Sequence, residues 1–285
     1  MRRDRRLRLN EIRDKLSYYA GELVFATHAP ASFRQSLRLL RSTFAFHYRN
    51  WRNMPIDPAP RMNLDFRFAG HDMSVTLRPH DGDISIFYEI FTRDSYKVSE
   101  ALLPPGEVQA IIDVGANIGF TSLYLAARYP QAFIYSVEPN PDNYALLQAN
   151  TASEPRIVPI QACVTPLPRQ QVFIDTTGRA SHFRMNMAGL GAPVRGMSLE
   201  ELCLEHSISR IDLLKIDAEG AEREIFADGT FLPRVGVIVA ELHGEYGLAA
   251  FNEDISRWHF TARMSDYTED PNIVVANLVR ADAPA

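Results

Sequence analysis

The chain has 285 residues, 30 Lys and Arg against 35 Asp and Glu, and a net charge of −5 at neutral pH. That length holds one large domain, or one domain with an added segment, and a hydrophobic share of 46% is enough for a buried core. The mild acidity gives no reason to expect a nucleic-acid-binding surface. Two cysteines, Cys163 and Cys203, make no disulfide framework and have no metal-site spacing; they read as reduced core thiols. No apolar run reaches membrane-span length.

Residues 1–60 stand apart as an arm. Arg2, Arg3, Arg5, Arg6 and Arg8 begin it, but Asn10, Glu11, Arg13, Asp14 and Lys15 break any apolar run. It does not read as a secretory signal, and the expected compartment is a reducing cytoplasm. Phe33, Leu37, Leu40, Phe44, Phe46, Tyr48 and Trp51 follow among arginines. Leu37, Leu40 and Phe44 recur at helical spacing, and Pro55, Pro58 and Pro60 then interrupt the chain. One or two helices and a linker are predicted. They either pack on the main domain or offer an interface to an anionic membrane or a partner protein.

Residues 61–105 predict a hairpin and helix ahead of the core. Asp65–Phe68 and Met73–Leu77 alternate as strands do, with Ala69-Gly70-His71-Asp72 between them. Ile84–Phe91 and Tyr96–Leu103 carry helix-like spacing, and Pro104-Pro105-Gly106 closes the segment.

Residues 106–285 form the main domain. Strands are predicted at Ala110–Val114, Phe133–Val137, Ile157–Val164, Ile211–Ile216 and Val235–Leu242, with a last one at Ile273–Val279. Helices are predicted near Ile118–Tyr129, Pro141–Asn150, Leu199–His206 and Ala221–Ala227. Asn140 is a natural N-cap ahead of Pro141, and Ser198 with Glu201 makes a capping box. Apolar strands alternating with amphipathic helices mean a parallel, doubly wound sheet. A polar strand, Gln171–Asp175, and a loop through Gly178, Gly189 and Gly191 interrupt this rhythm between 165 and 197.

Four constellations fall at the predicted strand ends. In Asp113-Val114-Gly115-Ala116-Asn117-Ile118-Gly119, Gly115 permits a tight turn and Gly119 lets a helix start close to the strand. Asp113 adds a negative charge. That disfavours a pyrophosphate at the helix N-terminus and favours a cofactor with a cationic part, such as the sulfonium and amino group of S-adenosylmethionine. Neither the glycine fingerprint of dinucleotide folds nor a P-loop is present. Glu138 ends the next strand, about 20 residues on, where an acid accepts ribose hydroxyls in NAD and S-adenosylmethionine sites alike. Asp217 and Glu219 leave a third strand before Gly220, and Glu222 reads as a first-turn helix acid. Solvated acids at a helix N-terminus are the plain alternative. His243, in Glu241-Leu242-His243, stands where it could take a proton from a hydroxyl.

Taken together, the IDVGANIG, VEPNP, KIDAEGAE and ELH stretches resemble the FkbM family of methyltransferases. The resemblance runs over about residues 75–280, including Leu77–Asp83, and leaves out the first 60. It implies a Rossmann-like class I methyltransferase fold, α/β, with a mostly parallel seven-stranded sheet and helices on both faces. It also implies S-adenosylmethionine as cofactor and O-methylation of a hydroxyl on a sugar, glycan or secondary metabolite. Asn117 stands where many class I methyltransferases have glycine, as is common in the FkbM pattern. On this reading Asp113, Gly115, Asn117, Gly119 and Glu138 bind the cofactor, while Asp217, His243 and Glu219 serve catalysis. A divalent metal on Asp217 and Glu219 is left open. An NAD-dependent oxidoreductase and a non-enzymatic scaffold with the same fold are the rival readings. Nothing in the pattern specifies an oligomeric state.

Overall fold

The computed structural model of the chain describes residues 19–57, 59–166, 171–174, 185–186, 191–268 and 270–278. Its contacts divide the chain into two compact units, the first ending at Thr92 and the second beginning at Arg93.

Among the described residues the first unit holds two helices, a hairpin and most of a third helix. Residues 19–28 form α1, and α2 spans Phe33–Trp51. Ser32 caps α2, its side chain accepting from the Gln35 amide. Strands β1 (Met62–Phe68) and β2 (His71–Leu77) pair antiparallel in unbroken register. Their two-residue turn is Ala69-Gly70, both at positive φ, which matches the twist of a hairpin. His71 and Asp72, expected in the turn, belong to β2. Met62, Leu64 and Phe66 alternate inward, as a one-sided strand requires. Helix α3 (Asp83–Arg93) follows. It does not resume at Tyr96–Leu103. That stretch is a chain of turns, closed by bonds such as Lys97 N–H to Asp94 C=O and Leu102 N–H to Ser99 C=O. Pro104 disfavours helix at Leu103, and burial of Tyr96, Val98 and Leu103 is reached through turns instead.

The second unit is built on a seven-stranded sheet. Its elements are β3 (Ala110–Val114), α4 (Phe120–Arg128), β4 (Phe133–Val137), α5 (Pro141–Thr151) and β5 (Ile157–Ile160), then α6 (Leu199–Glu205), β10 (Ile211–Ile216), α7 (Glu222–Asp228), β11 (Val235–Glu241), α8 (Leu248–Ser256), β12 (Phe260–Met264) and β13 (Ile273–Leu278). Between β5 and α6 lie β6 (Cys163–Val164), β7 (Gln171–Ile174), β8 (Met185–Asn186) and β9 (Ala192–Met197), a separate four-stranded sheet. The strand expected over Ile157–Val164 is therefore two strands in two sheets. The expected loop residues Gly178 and Gly189, with Asp175 and Val279, lie outside the described residues.

Across the large sheet the order is β5-β4-β3-β10-β11-β13-β12. The strands from β5 to β11 run parallel, and β13 runs antiparallel to both β11 and β12. Order reverses between β3 and β10. Right-handed crossovers on the two sides of that point put helices on opposite faces. Ile112, Leu214, Ile238 and Val274 pack with Leu202, Phe226, Phe251 and Ile255 of α6, α7 and α8. The alternate residues Ile111, Leu213 and Val239 are buried as well, so both faces are covered. No helix among the described residues is long and apolar enough to cross a membrane.

Candidate active site

The turn after β3 is compelled by close approach. Gly115 has φ +74°, and a Cβ there would stand 1.9 Å from the Asp217 carbonyl oxygen. The Gly115 and Ala116 amides both donate to the Val137 carbonyl at 3.0 Å, tying the turn to β4. Gly119, at φ +94°, has no room either, because a Cβ would lie 2.9 Å from Leu147 and 3.0 Å from Thr151 of α5. Asn117 adopts φ +49°, a left-handed conformation asparagine tolerates.

Glu138 is only 1% exposed at the end of β4. Its Oε2 accepts from the Asn117 amide at 2.8 Å and its Oε1 from the Asn140 amide at 2.9 Å. Burial pushes its carboxyl up to about 7, against the lowering effect of those amides. Each carboxylate oxygen keeps acceptor capacity beyond its one backbone bond.

Asp113 is fully buried. Its Oδ2 accepts from Ser122 Oγ at 2.7 Å, and its Oδ1 lies 3.3 Å from Lys215 Nζ. Lys215 is also buried. It donates to the Val114 and Gly115 carbonyls at 3.2 and 3.0 Å, and lies 3.8 Å from Asp217. Burial would lower the ammonium, but Asp113 and Asp217 outweigh it and hold the Lys215 pKa above the ordinary lysine value. The charge expected from Asp113 is thus taken up by a partner. Lys215 escaped the sequence reading, although a lysine between Leu214 and Ile216 in an apolar strand is itself a signal.

Past β10, four carboxylates gather round one imidazole. His243 Nδ1 is 2.9 Å from Glu222, and Nε2 is 3.8 Å from Asp217, 3.8 Å from Glu219 and 3.6 Å from Glu241. The Glu222 bond, with the charges of Asp217 and Glu241, raises the imidazole to about 9. Glu222 is buried and does more than complement a helix dipole. It accepts from the Ala218 amide at 2.8 Å and the Gly220 amide at 3.0 Å, so one side chain shapes the loop and orients His243. Burial would raise its carboxyl; His243 and the backbone amides outweigh that and hold it low. Tyr96 Oη donates its proton to Glu241 at 2.8 Å and also lies 3.2 Å from Asp217, a role absent from the sequence reading. Donor atoms of Asp217, Glu219 and His243 all lie within 4.8 Å of one another, a spacing at which they could hold a metal ion.

Between these groups opens a cleft of about 640 Å³, including solvent in its mouth, at the carboxyl ends of β3, β4 and β10. Gly115, Asn117, Glu138, Asp217 and Glu219 line it, with Val137, Ala162 and Val164 as an apolar wall. Asp113, Gly119 and His243 are not among the lining residues. The first two hold the turn from behind, and His243 stands beyond Asp217.

A parallel sheet whose order reverses at its ligand-binding edge, with an antiparallel strand inserted next to the last, is the class I methyltransferase fold. Residues 113–262, more than half of the chain, match the methyltransferase FkbM domain. The chain belongs to the FkbM family of methyltransferases. It is 27% identical over 200 residues to the AMB antimetabolite synthetase AmbE of Pseudomonas aeruginosa, covering 55% of this chain but 9% of that one. It is 28% identical over 193 residues to the 31-O-demethyl-FK506 methyltransferase FkbM of Streptomyces tacrolimicus, covering 55% of this chain and 74% of that one. The crystal structure of a methyltransferase FkbM from Methylobacillus flagellatus superposes with a TM-score of 0.43 at 11% identity, over 93% of this chain and 60% of that one.

Proposed function

We propose that this chain transfers a methyl group from S-adenosylmethionine to a hydroxyl oxygen of a small polar acceptor, a sugar, glycan or secondary metabolite. The observation that carries the reading is the polarity of the cleft. One end offers the Glu138 carboxylate, suited to two ribose hydroxyls. The other offers Asp217 and Glu219, backed by Glu222 and Glu241. At that second end acids outnumber the cations Lys215 and His243, which suits a sulfonium and an amino group. Gly115 and Asn117 shape the wall between. The name of the Streptomyces relative supports oxygen as the acceptor atom.

Methyl transfer needs the two centres in line and the hydroxyl proton leaving. Asp217 lines the cleft and can meet an acceptor hydroxyl. His243, gripped by Glu222 behind it, orients Asp217 and Glu219 and balances their charge. A second reading has Asp217, Glu219 and His243 hold a divalent cation, favoured by their mutual spacing. Loss of activity with a chelator and its return with magnesium or manganese would select it.

Calorimetry with S-adenosylmethionine, its demethylated product and NAD tests the cofactor, and transfer of labelled methyl to glycan and metabolite pools tests the acceptor. Tighter binding of NAD would overturn the methyltransferase reading. Label appearing on nitrogen or carbon instead of oxygen would overturn the hydroxyl acceptor.

A further inference from the structure

Helix α2 buries one face and leaves another bare. Ser36, Leu39, Thr43 and Phe46 are its buried residues, and Thr43 Oγ1 hydrogen-bonds the Tyr88 hydroxyl at 2.7 Å. The buried face is thus small and half polar. Most of the helix's large apolar side chains lie elsewhere. Phe33 is 81% exposed, Phe44 74% and Trp51 74%, and Leu37 and Tyr48 are exposed too. Positions 33, 37, 44, 48 and 51 fall on one line along the helix, at the spacing that builds a single stripe. Arg34, Arg38, Arg41, Arg49 and Arg52 occupy the next rows round the helix and border that stripe along its length. From Leu23 to Ile56 there is no Asp or Glu, in a chain whose net charge is −5.

We infer that α2 docks this protein on an anionic lipid surface. Charge complementarity selects the occupant. A row of arginines beside an apolar stripe meets phosphate headgroups and the acyl boundary together, and Trp, Tyr and Phe are the side chains that settle at that depth. A second copy of the chain is a poor fit, because pairing α2 with itself brings arginines against arginines with no acid on either helix. The helix lies on the surface. It is too polar to span a bilayer.

The test uses the full chain and vesicles of phosphatidylcholine with and without phosphatidylglycerol, read by co-sedimentation. Binding is expected only to the anionic vesicles, and weaker in high salt. Replacing Arg34, Arg38, Arg41 and Arg52 together by Gln should weaken it by about fivefold per arginine removed. Phe44→Ser with Trp51→Ser should weaken it as well, while circular dichroism and the melting temperature stay unchanged, since all these side chains are exposed. With Trp258→Phe as background, Trp51 emission should shift to the blue on anionic vesicles. No binding to anionic vesicles, or equal binding by the parent and both variants, would overturn the inference. So would concentration-dependent dimers abolished by the Phe44 and Trp51 changes, which would assign the face to a second copy. Binding of single-stranded RNA without vesicle binding would likewise overturn it.

Discussion

Glu138 carries a prediction because its surroundings leave it between two protonation states. Held at about 7 by burial, its carboxyl binds a proton more tightly in the folded chain than in the unfolded one. Its contribution to the stability of the free protein is therefore full below about 4.5 and lost as pH rises through about 7. Ribose hydroxyls donate best to the charged form, so cofactor affinity should run the other way. It should weaken by about tenfold for each pH unit below 7, with a proton released on binding. Calorimetry between pH 5.5 and 8 in two buffers of different ionisation enthalpy, values chosen to bracket roughly 7, reads both effects. Glu138→Ala should weaken binding by roughly 1.5–3 kcal/mol, the scale of hydrogen bonds to a charged acceptor, and should flatten the pH profile. An unchanged profile in a folded variant would remove Glu138 from the ribose site. Asp217 poses a different question, turnover against binding. Asp217→Asn should slow methyl transfer by roughly a hundredfold or more, as loss of a general base does, a larger effect than the cofactor affinity lost with its charge. His243→Ala should cost less, because the imidazole acts through Asp217. Wild-type rates in both variants on the true acceptor would make these residues structural.

At the scale of elements, the cleft depends on how closely two strand ends approach. Gly115 lets the turn after β3 lie against the backbone leaving β10, where Asp217 begins its loop. Gly115→Ala meets a backbone oxygen that cannot swing aside and a φ that L residues avoid. It should destabilise the fold by about 1–3 kcal/mol or more and open the cleft, since strained backbone is tolerated only where its surroundings over-determine it. A melting curve with and without S-adenosylmethionine reads both losses. A variant as stable as the parent and equally stabilised by cofactor would show that the close approach is dispensable. The Glu222 loop works by the same logic. One buried carboxylate takes the amides of Ala218 and Gly220 and the His243 ring, so β10, α7 and β11 present their acids together. Helix α2 shows a limit of periodicity. The spacing of Leu37, Leu40 and Phe44 marks a helix, yet the core took Ser36, Leu39, Thr43 and Phe46 instead. A period gives a face; what packs against it depends on β1, whose strand lies next to α2.

For the molecule as a whole, the described residues lining the cleft all fall between Val114 and Ala221, inside the second compact unit. A chain that begins at Arg61 should therefore still bind S-adenosylmethionine with the affinity of the full chain, provided circular dichroism shows it folded. Loss of binding in a folded protein of that kind would mean that residues 1–60 complete the cofactor pocket. Acceptor turnover and surface attachment are where the arm is expected to matter.

Much of this architecture was legible in the chain itself, because burial on both faces forces strands such as Ile211–Ile216 to be continuously apolar and glycines to stand where strands turn tightly. The order of the motifs carried the family, and the acids at strand ends marked the edge where a ligand binds. Tertiary structure decided four further matters. It paired Asp113 with Lys215, a contact between neighbouring strands that no local pattern encodes. It split Ile157–Val164 between two sheets and placed Phe260–Met264 at the sheet edge, where a half-exposed strand with Thr261 and Arg263 leaves little apolar signal. It also drew Tyr96, Glu222, Glu241 and His243 into one cluster, because groups more than a hundred positions apart meet only when the sheet brings their strand ends together.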